Sequence, residues 1–160
     1  MAEHTDPDGV VVGRSDLASP AALALVAALD AELTRRYPEE GANHFRLDLE
    51  EVADGRGAFL IATRGGLPIG CGAVRRLDER DAEIKRMYVS PGERGRGVGR
   101  VILAALEAEA RRLGLCRLVL ETGDRQPEAL GLYERAGFAR IPPFGEYVES
   151  PLSVCMAKRI

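Results

Sequence analysis

Arg94-Gly95-Arg96-Gly97-Val98-Gly99-Arg100 is the stretch whose reading decides the fold. A strand-like run, Ala82-Glu83-Ile84-Lys85-Arg86-Met87-Tyr88-Val89, precedes it, and a helix-like run to Leu113 follows. Three glycines alternate through the turn and none of residues 94–100 is proline, so every residue there offers a backbone N–H. Glycine lets the chain curl and lets a ligand approach the main chain without meeting a Cβ. The start of a helix adds unpaired N–H groups and a partial positive charge. Together these make a cradle for a phosphate or pyrophosphate, with Arg94, Arg96 and Arg100 on its rim. The plainer alternative is a glycine turn that only caps a helix; the neighbouring segments decide between the two.

Two familiar phosphate loops do not fit. A P-loop ends in Gly-Lys-Ser/Thr, and no Lys-Ser or Lys-Thr occurs in the chain. A dinucleotide fingerprint, G-x-G-x-x-G, finds Arg100 where its last glycine belongs. Glu121 at the end of the next strand would imitate that fold's ribose-binding acid. But the first strand of such a fold is apolar on both faces, unlike Ile84-Lys85-Arg86-Met87, and Ser90-Pro91-Gly92-Glu93 separates strand from glycines.

What the stretch does match is Arg/Gln-x-x-Gly-x-Gly/Ala, as Arg94-x-x-Gly97-x-Gly99. Here the chain resembles the GNAT superfamily of N-acetyltransferases. The resemblance runs from about Gly57 to Gly137 and gains specificity from its order: hairpin, Glu-bearing strand, glycine loop, helix, strand. It closes on Leu132-Tyr133-Glu134-Arg135-Ala136-Gly137-Phe138, which resembles the family's second signature, L-Y-x-x-x-G-F.

Composition sets the outer bounds. A chain of 160 residues suits one domain, 1–160, with a proper core. Apolar residues at 46% and charged residues at 29% read as soluble and globular. A net charge of −3 argues against general nucleic-acid binding. No apolar run reaches the roughly 18 residues of a membrane helix, and Met1–Asp6 has no signal-peptide character. Cys71, Cys116 and Cys155 read as reduced, packed thiols of a cytoplasmic protein. His4 and His44 are too few and too far apart to suggest a metal site, so no metal is expected.

Periodicity then gives the elements. Residues 1–8 read as a loose, flexible tail, and Val10-Val11-Val12 as a first strand. Ser19-Pro20 opens a helix whose Ala22, Leu25, Val26, Leu29 and Leu33 share one face, ending at Tyr37-Pro38. Residues 38–56 are polar, and Asp48–Ala53 reads equally as a short helix or a loop. Strands follow at about 57–64, 67–76 and 82–89, with Gly65-Gly66 as a tight hairpin turn. Val98, Val101, Ile102, Ala105 and Leu106 mark the clearest amphipathic helix. Glu109 interrupts its apolar face and is expected at the edge, Glu107 and Arg111 form an i, i+4 pair, and Gly114 stops the helix. Leu118–Leu120 is a buried strand, parallel to the strand before the loop. Pro127 opens a second helix to 136, and 139–141 with 152–158 make a final antiparallel pair. The fold class is α/β: a mixed, mostly antiparallel sheet with one parallel pair, flanked by helices.

The resemblance implies more. That parallel pair should splay into a V holding the pantetheine arm of acetyl-CoA, with its pyrophosphate on the N–H groups of residues 95–100. Backbone groups at Met87 and Val89 would meet the arm, and Val89 N–H would polarise the thioester. Gln126, three residues before Ala129, stands where the family often has Asn contacting the arm. Tyr133 matches the tyrosine beside the cofactor sulfur. A phenol of pKa about 10 can protonate a thiolate of pKa about 8.5 or somewhat above; the alternative is an aromatic that only packs. Glu83 is the candidate base, directly or through water, against a structural salt bridge to Lys85 or Arg86; Glu121 is a second candidate. Arg75, Arg86 and Tyr147 are read either as contacts to a substrate carboxylate or as solvated positions. The implied activity is direct transfer of acetyl from acetyl-CoA, in a ternary complex, to an amine of a small molecule, amino acid or peptide. The alternative is a non-catalytic acyl-CoA-binding regulator. No nucleic-acid or membrane partner is expected, and the chain is read as a monomer or homodimer.

Overall fold

A computed structural model describes residues 4–5, 8–40, 42 and 46–160. Its strands are β1 (His4–Thr5), β2 (Val10–Arg14), β3 (Gly57–Arg64), β4 (Leu67–Arg76), β5 (Asp81–Val89), β6 (Arg117–Gly123), β7 (Ala139–Ile141) and β8 (Ser153–Arg159). The helices are α1 (Pro20–Arg36), α2 (Val98–Arg112) and α3 (Pro127–Arg135). The strands form one sheet in the order β1-β2-β3-β4-β5-β6-β8-β7. Among the described strands only β5 and β6 run parallel; every other neighbouring pair is antiparallel. Among the described residues no helix is long and apolar enough to cross a membrane.

Local chemistry accounts for the elements. Ser19 caps α1, its hydroxyl accepting from Ala22 N at 3.2 Å, and Pro20 takes the first turn where no N–H is needed. Gly65 and Gly66 both adopt positive φ, which the tight β3–β4 hairpin requires. The alternation of β3 sends Ala58, Leu60 and Ala62 to one face with α2, and Phe59 and Ile61 to the other with α1. The sheet is thus covered on both sides. The α2 side is the larger core, built on Val98, Ile102, Leu106 and Ala110.

Several sequence expectations change. Within the tail read as loose, His4 and Thr5 pair with Val12 and Val11. Asp48–Ala53 holds a single 3-10 turn, Leu49–Val52, with Asp48 N–H donating to Glu51 at 2.9 Å. Residues 41 and 43–45, including His44, lie outside the described residues, as does the side chain of His4. Cys71 and Cys155 are buried thiols but Cys116 is exposed, because it follows the helix-ending turn at Gly114 rather than sitting within β6. Glu109 is buried, not at an edge: Arg14 from β2 reaches it at 2.5 Å and Arg112 at 3.5 Å, neutralising a carboxylate that would otherwise be costly there.

The sheet opens at its centre. The β5–β6 ladder ends at Ile84↔Leu120, whereas β6 stays paired to β8 as far as Gly123↔Ser153. Just beyond that last rung the β4–β5 register shifts, and Arg86 takes a left-handed φ of 58°. A bulge increases local twist and bends its strand, so β5 leaves β6 at this point.

Candidate active site

A groove of about 510 Å³ runs from the far end of β5, past the glycine loop, to α3. Gly95 (φ 76°) and Gly97 (φ 83°) take left-handed conformations, and Gly97 is the N-cap of α2. Gly99 is glycine for a different reason: a Cβ there would lie 2.9 Å from Leu132 Cδ2. The main-chain N–H groups of Val98, Gly99 and Arg100 open the helix at the groove wall, as unpaired donors for an anion. Of the residues singled out in the sequence, Met87, Val89, Arg94, Gly95, Gly97, Val98, Gly99, Arg100 and Gln126 line this groove. Arg96 does not line it; its guanidinium pairs with Glu93 at 2.9 Å. The Arg94 side chain turns back, Nε donating to Val89 O at 2.8 Å and the other end pairing with Glu32 of α1 at 2.8 Å. It therefore ties loop, strand and helix together.

A second, smaller cleft of about 110 Å³ opens on the α1 side of the V. Lys85, Arg86, Glu121 and Tyr147 are among its walls, and it meets the groove at Met87, Gln126, Ala129 and Tyr133. Tyr133 projects from α3 to this junction, is 5% exposed, and stands edge-on to Phe138 at 5.8 Å. Burial raises its pKa above the ordinary phenol value, and the negative charge of Glu121 raises it further.

Glu83 is 1% exposed and does not line the cleft itself. One carboxylate oxygen takes both Nε (2.9 Å) and a terminal nitrogen (2.7 Å) of Arg75, its neighbour across the β4–β5 ladder. The other accepts from the Tyr147 hydroxyl at 2.7 Å. The charge partner is thus Arg75, not Lys85 or Arg86. Tyr147, read as a loop aromatic or substrate contact, is buried, and burial followed by the adjacent Glu83 charge pushes its pKa upward. Glu121 accepts from Ser153 Oγ at 2.5 Å. Arg86 is buried and ion-paired to Asp30 of α1.

Sequence reasoning missed Asp30 and Tyr37. The Tyr37 hydroxyl accepts the Arg125 N–H at 2.6 Å and lies against Gly123, which has no room for a Cβ. It joins the end of α1 to the loop after β6, and Tyr37 also walls the small cleft. The sequence signals were a buried-type aromatic at a helix end and a glycine closing a strand.

Known proteins resemble this arrangement along nearly its whole length. A protein of Azospirillum brasilense named IAA acetyltransferase is 42% identical over 151 residues, 93% of this chain and 97% of its own. A Bacillus subtilis protein named uncharacterized N-acetyltransferase YsnE is 39% identical, covering 71% of this chain and 77% of its own. A crystal structure from Klebsiella pneumoniae, provisionally named an acyl-CoA N-acyltransferase, superposes with a TM-score of 0.79 at 34% identity, covering 94% and 97% of the two chains. A GNAT family acetyltransferase from Elizabethkingia anophelis, solved with acetyl-CoA bound, shares the fold at a TM-score of 0.68 and 17% identity over 96% and 99% of the chains. The protein is therefore an acyltransferase. The model of the acetyltransferase (GNAT) family matches residues 24–138, and the chain belongs to that family.

Proposed function

We propose that this protein transfers an acetyl group from acetyl-CoA to a primary amine, by direct attack within a ternary complex. The observation that carries the reading is the meeting of two clefts at Tyr133. The glycine-lined groove suits the cosubstrate: its free N–H groups and helix start favour a pyrophosphate, and the edge of β5 left without a neighbouring strand at Met87 and Val89 suits an amide-bearing arm. The small cleft suits the amine. Attack forms the N–C bond as the C–S bond breaks, the leaving thiolate takes a proton from Tyr133, and the amine's surplus proton passes to a carboxylate. Tyr133 is the candidate acid by its position at the junction; burial and Glu121 keep its phenol protonated but also weaken it as an acid, so the proton moves only as charge builds on the departing sulfur.

Glu83 reaches the cleft through Tyr147, whose hydroxyl can take a proton from the amine while passing its own to Glu83. Glu121 faces the cleft directly and is the second candidate base. The regulator alternative uses the same groove without turnover.

The deciding experiment is thiol release from acetyl-CoA across amino acids, polyamines, aminoglycosides and short peptides, with thermal shifts measured for acetyl-CoA and NAD. Turnover on one class supports the reading. An acetyl-CoA shift with no turnover on any class supports the regulator. A shift with NAD alone overturns the reading of the glycine loop.

A further inference from the structure

Lys85 belongs to none of the roles above. It is 8% exposed, yet its ammonium makes no side-chain hydrogen bond or ion pair among the described residues. A buried cation without a counter-ion is costly, and the neighbouring charges are engaged elsewhere. Glu83, two residues earlier on the same face of β5, is held by Arg75 and Tyr147. Arg86 has Asp30, so that carboxylate is also taken. The ammonium is not sealed in, since among the described residues Arg64 alone holds a buried, unpartnered side-chain nitrogen or oxygen atom. Its opening is the small cleft, whose wall Lys85 helps form.

The last β5–β6 rung is Ile84↔Leu120, so Lys85 and Glu121 are the first residues of each strand beyond the vertex of the V. Ile84 and Leu120 face the α2 core; by alternation Lys85 and Glu121 turn to the opposite, cleft-bearing face. A cation and a carboxylate thus flank the vertex, and the carboxylate accepts from Ser153 Oγ. Met87, at the junction of the two clefts, is two residues further along β5, beyond the bulge at Arg86.

We propose that the acceptor is an amino-acid-sized amine bearing a carboxylate, with the carboxylate on Lys85 and the amine on the Glu121 side, toward the Met87–Tyr133 junction. This rests on reading the small cleft as the acceptor site. A free carboxylate supplies the charge that Lys85 lacks, and the modest size of the cleft suits a small molecule. Lys85 is a specificity residue; it takes no part in the proton transfers.

The test uses the full chain and matched triplets: an amino acid, its amide, and its decarboxylated amine. The acid should be acetylated about 10- to 100-fold more efficiently (kcat/KM) than the amide, as expected for a hydrogen bond to a charged group. Lys85→Met, which keeps an unbranched stem, should erase that preference through KM while leaving the acetyl-CoA Kd within about two-fold. Lys85→Arg should restore part of it. Equal turnover of amide and acid, or an unchanged preference in Lys85→Met, overturns the proposal. If no amine is turned over, the transferase reading fails by itself, and titration of N-acetyl amino acids against their amides, with coenzyme A present, decides the carboxylate question. Binding of the acids alone, lost in Lys85→Met, supports the Lys85 site; equal binding or none overturns it.

Discussion

The hydroxyl of Tyr133 is kept protonated by two effects of the same sign: burial disfavours a phenolate, and the charge of Glu121 disfavours it further. A raised pKa keeps the phenol protonated at neutral pH and through the alkaline range up to the ordinary phenol value, while making it a weaker acid. Any alkaline decline in kcat below about pH 10 should therefore persist in Tyr133→Phe. That variant should lose about 100-fold in turnover with acetyl-CoA affinity within a few-fold; unchanged turnover removes Tyr133 from the acid role. Glu83 and Tyr147 form one unit on the proposed proton route. Glu83→Gln and Tyr147→Phe should each lower kcat by about 100-fold, and the double variant should be little worse than either. Additive losses would separate the two residues and favour Glu121, whose Gln variant belongs in the same series.

At the scale of elements, the glycine loop carries two distinct requirements. Gly95 and Gly97 need left-handed backbone, while Gly99 needs room beside α3. Gly97→Asp puts a negative charge where the cosubstrate's pyrophosphate is proposed to sit, and adds strain of about 1–2 kcal/mol. Gly114 has a similar φ of 79° with open space around it, away from the groove, so Gly114→Asp bears similar strain without the charge effect. By calorimetry, acetyl-CoA affinity should fall by more than about 100-fold in the first and stay unchanged in the second. Equal affinities would remove the loop from anion binding.

For the whole molecule, the parallel β5–β6 joint that sets the V is braced at its closed end. Arg117 grips the buried Asp81 through two nitrogens, at 2.9 and 2.8 Å. Burial works against that carboxylate, but the hydrogen bonds from Arg117 and Arg80 outweigh it and hold the pKa below the usual range. A lowered folded-state pKa contributes stability above the unfolded value, lost as pH falls through the folded one. Asp81→Asn should cost about 2 kcal/mol at pH 7 in chemical denaturation. The difference from the wild type should shrink below about pH 4; a gap constant to pH 3 would mean that the ion pair is not what the substitution removes.

The meander, the amphipathic α2 and the glycine loop were legible because each is encoded locally: alternation over 57–64, 67–76 and 82–89, helical spacing from Val98, and glycines where φ turns positive. The two signatures, read in order, were enough for the family. The charge network was not legible, because its partners lie far apart in the chain. Tyr147 meets Glu83 across 64 positions, Arg86 meets Asp30 across 56, and Tyr37 meets Arg125 across 88. Cys116 and Glu109 changed places with expectation for the same reason, since burial depends on what packs from another element. Thus the sequence by itself determined the elements, their order and the class of chemistry, through local periodicity and backbone freedom. Only the tertiary structure decided which charges are spent on one another, because ion pairing is settled by proximity in space.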